Sequence, residues 1–67
     1  MNEQEKKINN QINKLANQLF GKNPEAMKRY NQESLLNRVG MIGIIAAMGE
    51  EHIIANNCNE WMKIINA

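Results

Sequence analysis

The residues best suited to acid–base or metal chemistry lie in one short segment near the C-terminus. His52 is the single histidine and Cys58 the single cysteine of the chain. On a helix, His52 would lie on the same face as Glu60 and beside Glu51, so that a carboxylate could assist proton transfer. The segment has no HExxH or CxxC spacing and no second histidine. We therefore expect no enzyme activity, no metal site and no cofactor, with Cys58 acting as a small buried hydrophobe.

Motifs that bind nucleotides through glycine-rich loops are absent. Neither GxGxxG after a strand nor GxxxxGK[ST] occurs, and Gly40 and Gly43 lie in a helical context. A modest basic surface is expected from Lys22, Lys28, Arg29 and Arg38 with the aromatic Tyr30. The net charge is only +1 and no helix-turn-helix spacing is present, so a solvated face is favoured over nucleic-acid binding.

An apolar run precedes the segment that carries these polar residues. The eleven residues from Val39 to Gly49 have no polar side chain, and Glu50 and Glu51 follow directly. This length is roughly half of the 20 residues that a helix needs to cross a bilayer. The N-terminus has polar residues at 9–11 where a signal peptide would be apolar. We expect no membrane span and a cytoplasmic location.

The length of 67 residues allows one helical domain with a small core. A single core of this size rarely supplies more than about 3 to 5 kcal/mol of stability. One cysteine cannot form an internal disulfide, and one cysteine with one histidine cannot form a closed zinc site. Association with other chains is the remaining way to stabilise the domain.

The spacing of apolar residues predicts an amphipathic first helix within residues 1–21. Its stripe consists of Ile8, Ile12, Leu15, Ala16, Leu19 and Phe20. Gly21 is expected to be a left-handed C-cap. Asn23 as N-cap and Pro24 at the first helical position predict a second helix within 22–33, which forms a hairpin with the first.

The remaining residues, 34–66, are predicted to form one apolar helix or a helix pair broken near residue 49. Ser34 is suited to cap a new helix, and each glycine in this segment weakens a helix by about 1 kcal/mol. No strand alternation or internal repeat is present. We expect an all-α fold, either a helical hairpin or a three- to four-helix domain, completed by homo-oligomerisation.

The position of Glu50 and Asn57 depends on whether this segment is continuous. In a continuous helix, an advance of about 100° per residue places both in the middle of the apolar face. A break at Gly49 would instead put Glu50 and Glu51 in the first turn of a new helix, where the dipole favours acids. Alternatively, Glu50 and Asn57 are buried and fix the register of an oligomer.

A third interpretation is a ligand pocket between subunits, in which a carboxylate and an amide converge beside an aromatic wall. The candidate ligand-binding residues are Tyr30, Arg38, Glu50, Asn56, Asn57 and Trp61. The three interpretations stay open at the level of the sequence.

The opposite side of the same segment is also apolar, so the helix around 39–48 is apolar nearly all the way round. A helix of this kind must be covered on both sides, and one helical hairpin cannot do so. The predicted interface residues are Leu35, Val39, Ile42, Ile44, Ile45, Met48 and Ile53. Small residues in the segment would allow close approach of a second subunit, or would accommodate the first helix.

These features favour a non-enzymatic, homo-oligomeric binding protein that acts as an inhibitor or adaptor of a larger macromolecule. The alternative is a protein that sequesters a small polar or nucleotide-like ligand in pockets at subunit interfaces. Weak nucleic-acid binding through the basic N-terminal half ranks third. Twelve asparagines and nine isoleucines are typical of A/T-rich genomes, such as those of phages and mobile elements.

Overall fold

The computed structural model describes all 67 residues and contains four helices and no strand. The helices are α1 (Glu3–Phe20), α2 (Pro24–Asn31), α3 (Leu35–Met48) and α4 (His52–Asn66). The predicted all-α class is confirmed, whereas completion of the domain by association stays a prediction.

The first three helices begin at polar capping residues. Asn2, Asn23 and Ser34 each accept a hydrogen bond from the backbone N–H three residues later, at 2.8, 3.2 and 3.3 Å. Such bonds satisfy donors that the first turn of a helix leaves free. The start of α2 at Pro24 and the capping role of Ser34 were therefore correctly predicted.

Gly21 is not the left-handed C-cap that we expected. Its φ of −57° is right-handed, and its N–H donates to the Asn17 carbonyl at 2.9 Å. The helical hydrogen-bond pattern thus extends through Gly21, and the chain turns afterwards, where the Asn23 N–H donates to the Phe20 carbonyl at 2.8 Å. A left-handed residue is not needed for this turn.

Helices α3 and α4 form an antiparallel hairpin with close backbone approach. A β-carbon on Gly43 would lie 3.1 Å from the Cys58 β-carbon, and one on Gly40 would lie 3.9 Å from the Met62 sulfur. Partner numbers on α4 rise as those on α3 fall, which defines the antiparallel direction. Gly43 therefore accommodates α4. The sequence analysis expected the small residues to accommodate either a second subunit or the first helix, and it did not name α4.

The hairpin turn settles the position of Glu50. The Glu50 N–H donates to Ala47 and the Glu51 N–H to Ala46, at 3.2 and 2.8 Å, and Glu50 has a φ of 59°. This hydrogen-bond pattern is a Schellman motif with Glu50 in the left-handed position that glycine usually takes. Helix α3 therefore ends at Met48. Of the three interpretations above, this outcome agrees with the break at Gly49.

Two details of the sequence analysis are corrected at this turn. The continuous helix that placed Glu50 and Asn57 on an apolar face does not exist, because the turn resets the helical phase, and both residues are exposed. Glu50 and Glu51 also lie before the first turn of α4, which begins at His52. Glu51 is the N-cap residue, and its side chain makes no capping hydrogen bond.

Replacing Glu50 with glycine should increase the free energy of unfolding by about 1 kcal/mol, because the left-handed conformation costs an L-residue roughly 1–2 kcal/mol. Urea denaturation followed by circular dichroism measures the change. Glu50→Gln is the matched control, since it removes the charge but keeps the β-carbon, and it should stay within about 0.5 kcal/mol of the wild type. An equal gain in both variants would attribute the effect to charge and contradict the backbone explanation.

The core is small and receives side chains from all four helices. Nine of the 67 residues are buried, and none of them is charged. The core cluster consists of Ile8, Ile12, Ala16, Tyr30, Leu35, Val39, Ile42 and Cys58. The molecule measures only 15 Å along its shortest axis, which accommodates two layers of helices at the usual spacing of about 8–10 Å. One side of α3 is consequently left without a covering layer.

Candidate functional site

The uncovered side of α3 is a continuous apolar stripe. Gly40, Met41, Ile44, Ala47 and Met48 recur at i, i+1, i+4, i+7 and i+8, and we call this set the α3 outer face. Ile44, Ala47 and Met48 are its exposed members, whereas Gly40 and Met41 are half-buried at its edge. The side chain of Ile44 is 64% exposed and that of Met48 is 81% exposed. No charged residue interrupts the stripe. Contiguous apolar patches larger than a few hundred Å² are uncommon on monomers and indicate interaction surfaces.

Shallow grooves border the α3 outer face on the side of α4. One groove of about 210 Å³ lies between Ile44 and Ala47 of α3 and Ala55 and Met62 of α4. A second, of about 480 Å³, also includes Ile44 and Met62 and extends towards the start of α3. Ile44 therefore forms a ridge that borders both depressions, a shape suited to interdigitation with another helix.

The total accessible surface of the chain is larger than that expected for a compact monomer of its mass. The chain exposes 4849 Å². A compact monomer of its 7.7 kDa mass is expected to expose about 4300 Å². The excess of roughly 500 Å² is of the size that one partner contributes to a small interface.

The structure divides the predicted interface residues into three groups: buried, partly buried and exposed. Leu35, Val39 and Ile42 lie in the core cluster and are already covered within one chain, so they are not available to a partner. Ile45 is partly buried and lines a groove of about 360 Å³ between α1 and the α3–α4 hairpin. The exposed members are Ile44, Met48 and Ile53. The periodicity identified α3 as apolar on every side, but which side faces α1 depends on the tertiary packing.

A second exposed stripe lies on α4. Ile53, Asn57, Trp61 and Ile64 recur at i, i+4, i+8 and i+11, and we call this set the α4 flank. Ile53 is 79% exposed, whereas Trp61 packs partly against the core cluster. Of these residues Ile53 was among the predicted interface residues, whereas Asn57 and Trp61 were among the predicted ligand-binding residues. Ile64 could have been found from its i+11 spacing once the phase of α4 was counted from His52 alone.

A polar cluster joins α1, α2 and α3 on the side of α3 that faces α1. Arg38 donates from Nη1 to the side-chain oxygens of Asn9 and Asn13, at 2.8 and 3.1 Å. The Tyr30 hydroxyl donates to the same Asn13 oxygen at 2.8 Å. The Arg38 guanidinium also lies over the Tyr30 ring, 5.6 Å from its centroid. We call Asn9, Asn13, Tyr30 and Arg38 the Arg38 cluster.

The six predicted ligand-binding residues do not form a single pocket. Tyr30 and Arg38 are in contact within the Arg38 cluster. Glu50, Asn56 and Asn57 are exposed around the start of α4 and make no side-chain hydrogen bond. None of the six lines the 360 Å³ groove between α1 and the α3–α4 hairpin. The sequence analysis missed Asn9 and Asn13, although their i, i+4 spacing beside Ile8 and Ile12 marks one edge of the buried stripe of α1.

The two residues considered for nucleophilic or metal chemistry lie in different environments. His52 is exposed at the first position of α4, and Cys58 is completely buried against Gly43. No group of three or more histidine, cysteine or acidic side chains lies close enough to hold a metal ion. Burial raises the pKa of the Cys58 thiol. Burial also raises the pKa of Tyr30, and the adjacent Arg38 opposes that increase.

Raised pKa values predict that the fold loses stability in alkaline solution. Because the unfolded chain releases the Cys58 proton near its ordinary value of 9.0 while the folded chain retains it, stability is complete below that pH and falls as pH rises above it. The urea midpoint should therefore be lower at about pH 10 than at pH 7. Cys58→Ala removes the thiol and should show a smaller decrease, with the remainder due to Tyr30. An identical decrease in both proteins would exclude Cys58 as its source.

None of the four helices combines the length and the hydropathy that a bilayer-spanning helix requires. Comparison of the chain with protein-family models, curated proteins and solved structures gave no match.

Proposed function

We propose that this chain is a small helical binding protein that self-associates through the α3 outer face and acts, when assembled, as an inhibitor or adaptor of a larger macromolecule. The observation that carries the proposal is the exposure of Ile44 and Met48 on one uncharged helical stripe. Apolar area removed from water contributes about 25 cal/mol per Å², so covering this stripe favours association.

A pair of chains related by a two-fold axis fits the α3 outer face. In such a pair the same stripe meets itself, so each Ile44 ridge can enter a depression of the other chain. The small, exposed residue Ala47 leaves space for the opposing helix, and the absence of charge in the stripe avoids like-charge contacts across the axis. If each chain covered its excess of roughly 500 Å², the interface would reach about 1000 Å², the lower bound for a specific interface.

The α4 flank is the surface that we assign to the macromolecular target. It is separate in sequence from the α3 outer face, and its Ile53 is 79% exposed. Large apolar and aromatic side chains such as Ile53 and Trp61 are frequent anchors at interfaces. One face for the second copy and one for the target is the arrangement expected of an adaptor or inhibitor.

Affinity capture with matched variants tests the assignment of the target surface. Tagged wild type and Ile53→Glu are used as baits, with Ile44→Glu as the third arm. A target retained by wild type and lost with Ile53→Glu, from a bait whose circular dichroism is unchanged, is the expected result. A captured macromolecule that binds all three baits equally would contradict the assignment of the α4 flank.

A further inference from the structure

The groove between α1 and the α3–α4 hairpin is lined mainly by apolar side chains. Its volume of about 360 Å³ lies within the range of about 300–1,000 Å³ that is typical of small-molecule pockets. It is roughly twice the volume of an apolar cavity of about 150 Å³ that holds one benzene molecule. Six of its nine lining residues are apolar, namely Leu15, Leu19, Ile42, Ile45, Ala46 and Ile54. The groove therefore has room for an apolar body of one or two rings.

The length of the groove suits a small molecule rather than a peptide helix. Residues 42–49 of α3 form its long side, but on α1 the lining extends only from Leu15 to Leu19. At about 1.5 Å of rise per residue, this wall on α1 is about 6 Å long. A helix that docks in a groove usually places anchors from i to i+7, which requires about 10 Å. Part of a docked helix would therefore lack a wall on the side of α1.

Glu51 is the single charged residue in the lining of this groove, and its carboxylate has no partner within the chain. The one ion pair of the chain joins Lys63 and Glu60, at 3.4 Å. The Glu51 side chain makes no capping hydrogen bond, and no lysine, arginine or histidine lines the groove. Glu51 precedes the first turn of α4, where the helix dipole favours the ionised form of a carboxylate. The groove therefore combines apolar walls with one unpaired negative charge.

We infer that this groove binds a small amine, whose apolar body packs against Leu15, Ile45 and Ile54 while its ammonium group pairs with the Glu51 carboxylate. An ammonium group has three hydrogen-bond donors and no acceptor, so oxygens are the partners that it requires. The side-chain oxygen of Gln18, which also lines the groove, supplies a second acceptor. The groove shares no residue with the α3 outer face or the α4 flank. Amine binding is therefore independent of self-association and of the macromolecular target.

Three compounds with the same indole ring test this site in the full chain at pH 7. Tryptamine carries an ammonium group, tryptophol a neutral hydroxyl and indole-3-acetate a carboxylate. Nuclear magnetic resonance follows the methyl signals of Leu19, Ile45 and Ile54 in the groove, with Ile53 as the reference outside it. We expect saturating shifts of the groove signals, with tryptamine bound about threefold more tightly than tryptophol and indole-3-acetate bound most weakly. No saturating shift with tryptamine, shifts confined to Ile53, or binding of indole-3-acetate as tight as that of tryptamine would overturn the proposal.

Glu51→Gln and Glu50→Gln form the matched pair of variants. Each removes one negative charge from the same turn, but Glu50 does not line the groove. Glu51→Gln should abolish the preference for tryptamine over tryptophol, whereas Glu50→Gln should keep it at about threefold. An equal loss of preference in both variants would mean attraction to the net charge, and a preference kept in both would remove Glu51 from the site, so either result overturns the proposal. Both side chains are exposed, so both variants should stay folded, which circular dichroism checks.

Discussion

Replacing Ile42 with alanine is expected to lower the free energy of unfolding by about 2 to 5 kcal/mol. The side chain is completely buried in the core cluster, and its loss leaves a cavity that two helical layers cannot readily close. Because a single core of this size supplies only about 3 to 5 kcal/mol, most of the variant should be unfolded at room temperature. Circular dichroism and the urea midpoint measure the loss.

Ile44→Ala is the control for this prediction. The same atoms are removed two residues along the same helix, but the side chain is 64% exposed. At concentrations where the chain is monomeric, the change should stay below about 0.5 kcal/mol. Equal destabilisation by the two variants would contradict the division of α3 into a buried side and an outer face.

Ile44→Glu is expected to abolish self-association while the monomer stays folded. A carboxylate brought into the centre of an apolar interface without a partner costs about 3 kcal/mol or more, which corresponds to a loss of affinity of at least about 100-fold. In the isolated chain the same side chain lies in water and costs little. Sedimentation equilibrium over a dilution series measures the dissociation constant, and circular dichroism confirms the fold.

Ile53→Glu provides the comparison on the other exposed stripe. It introduces the same charge at a position of similar exposure on the α4 flank, and it should leave the dissociation constant within about threefold of the wild type. If Ile53→Glu dissociates the assembly and Ile44→Glu does not, the α4 flank is the self-association surface and the two roles are exchanged.

The parts of the fold that depend on local interactions were predictable from the sequence. The stripe of α1 follows from the spacing of Ile8, Ile12 and Ala16, which are all buried. The starts of α2 and α3 follow from Asn23 and Ser34, whose side chains bond the backbone three residues later. Each of these signals operates within about one or two helical turns and needs no knowledge of tertiary packing.

The hairpin turn was only one of several predicted possibilities. A left-handed residue is usually glycine, and the chain offers Gly49 at this point, but Glu50 takes that conformation and Gly49 does not. The left-handed position is set by the hydrogen bonds that the last helical carbonyls accept. The Ala47 carbonyl accepts from the Glu50 N–H, and the Ala46 carbonyl accepts from the Glu51 N–H. The residue types in the sequence therefore located the helix break, but they did not identify which residue adopts the left-handed conformation.

The candidate site needed information that one-dimensional periodicity does not contain. Because α3 is apolar nearly all round, the sequence could not distinguish the buried Ile42 from the exposed Ile44. The Arg38 cluster joins residues 25 or more positions apart on α1 and α3, so the contact of Arg38 with Asn9 and Asn13 follows from helix packing. Asparagine beside an apolar stripe is otherwise indistinguishable from a solvated residue.

The molar mass of the wild-type chain in solution tests the central claim most directly. Sedimentation equilibrium or light scattering after size exclusion, at micromolar concentration, should give at least twice the 7.7 kDa mass of one chain. The mass should fall to that of one chain on dilution and in the Ile44→Glu variant. A folded wild-type protein of 7.7 kDa at every concentration would contradict the account, because Ile44 and Met48 would then stay in water without a partner copy.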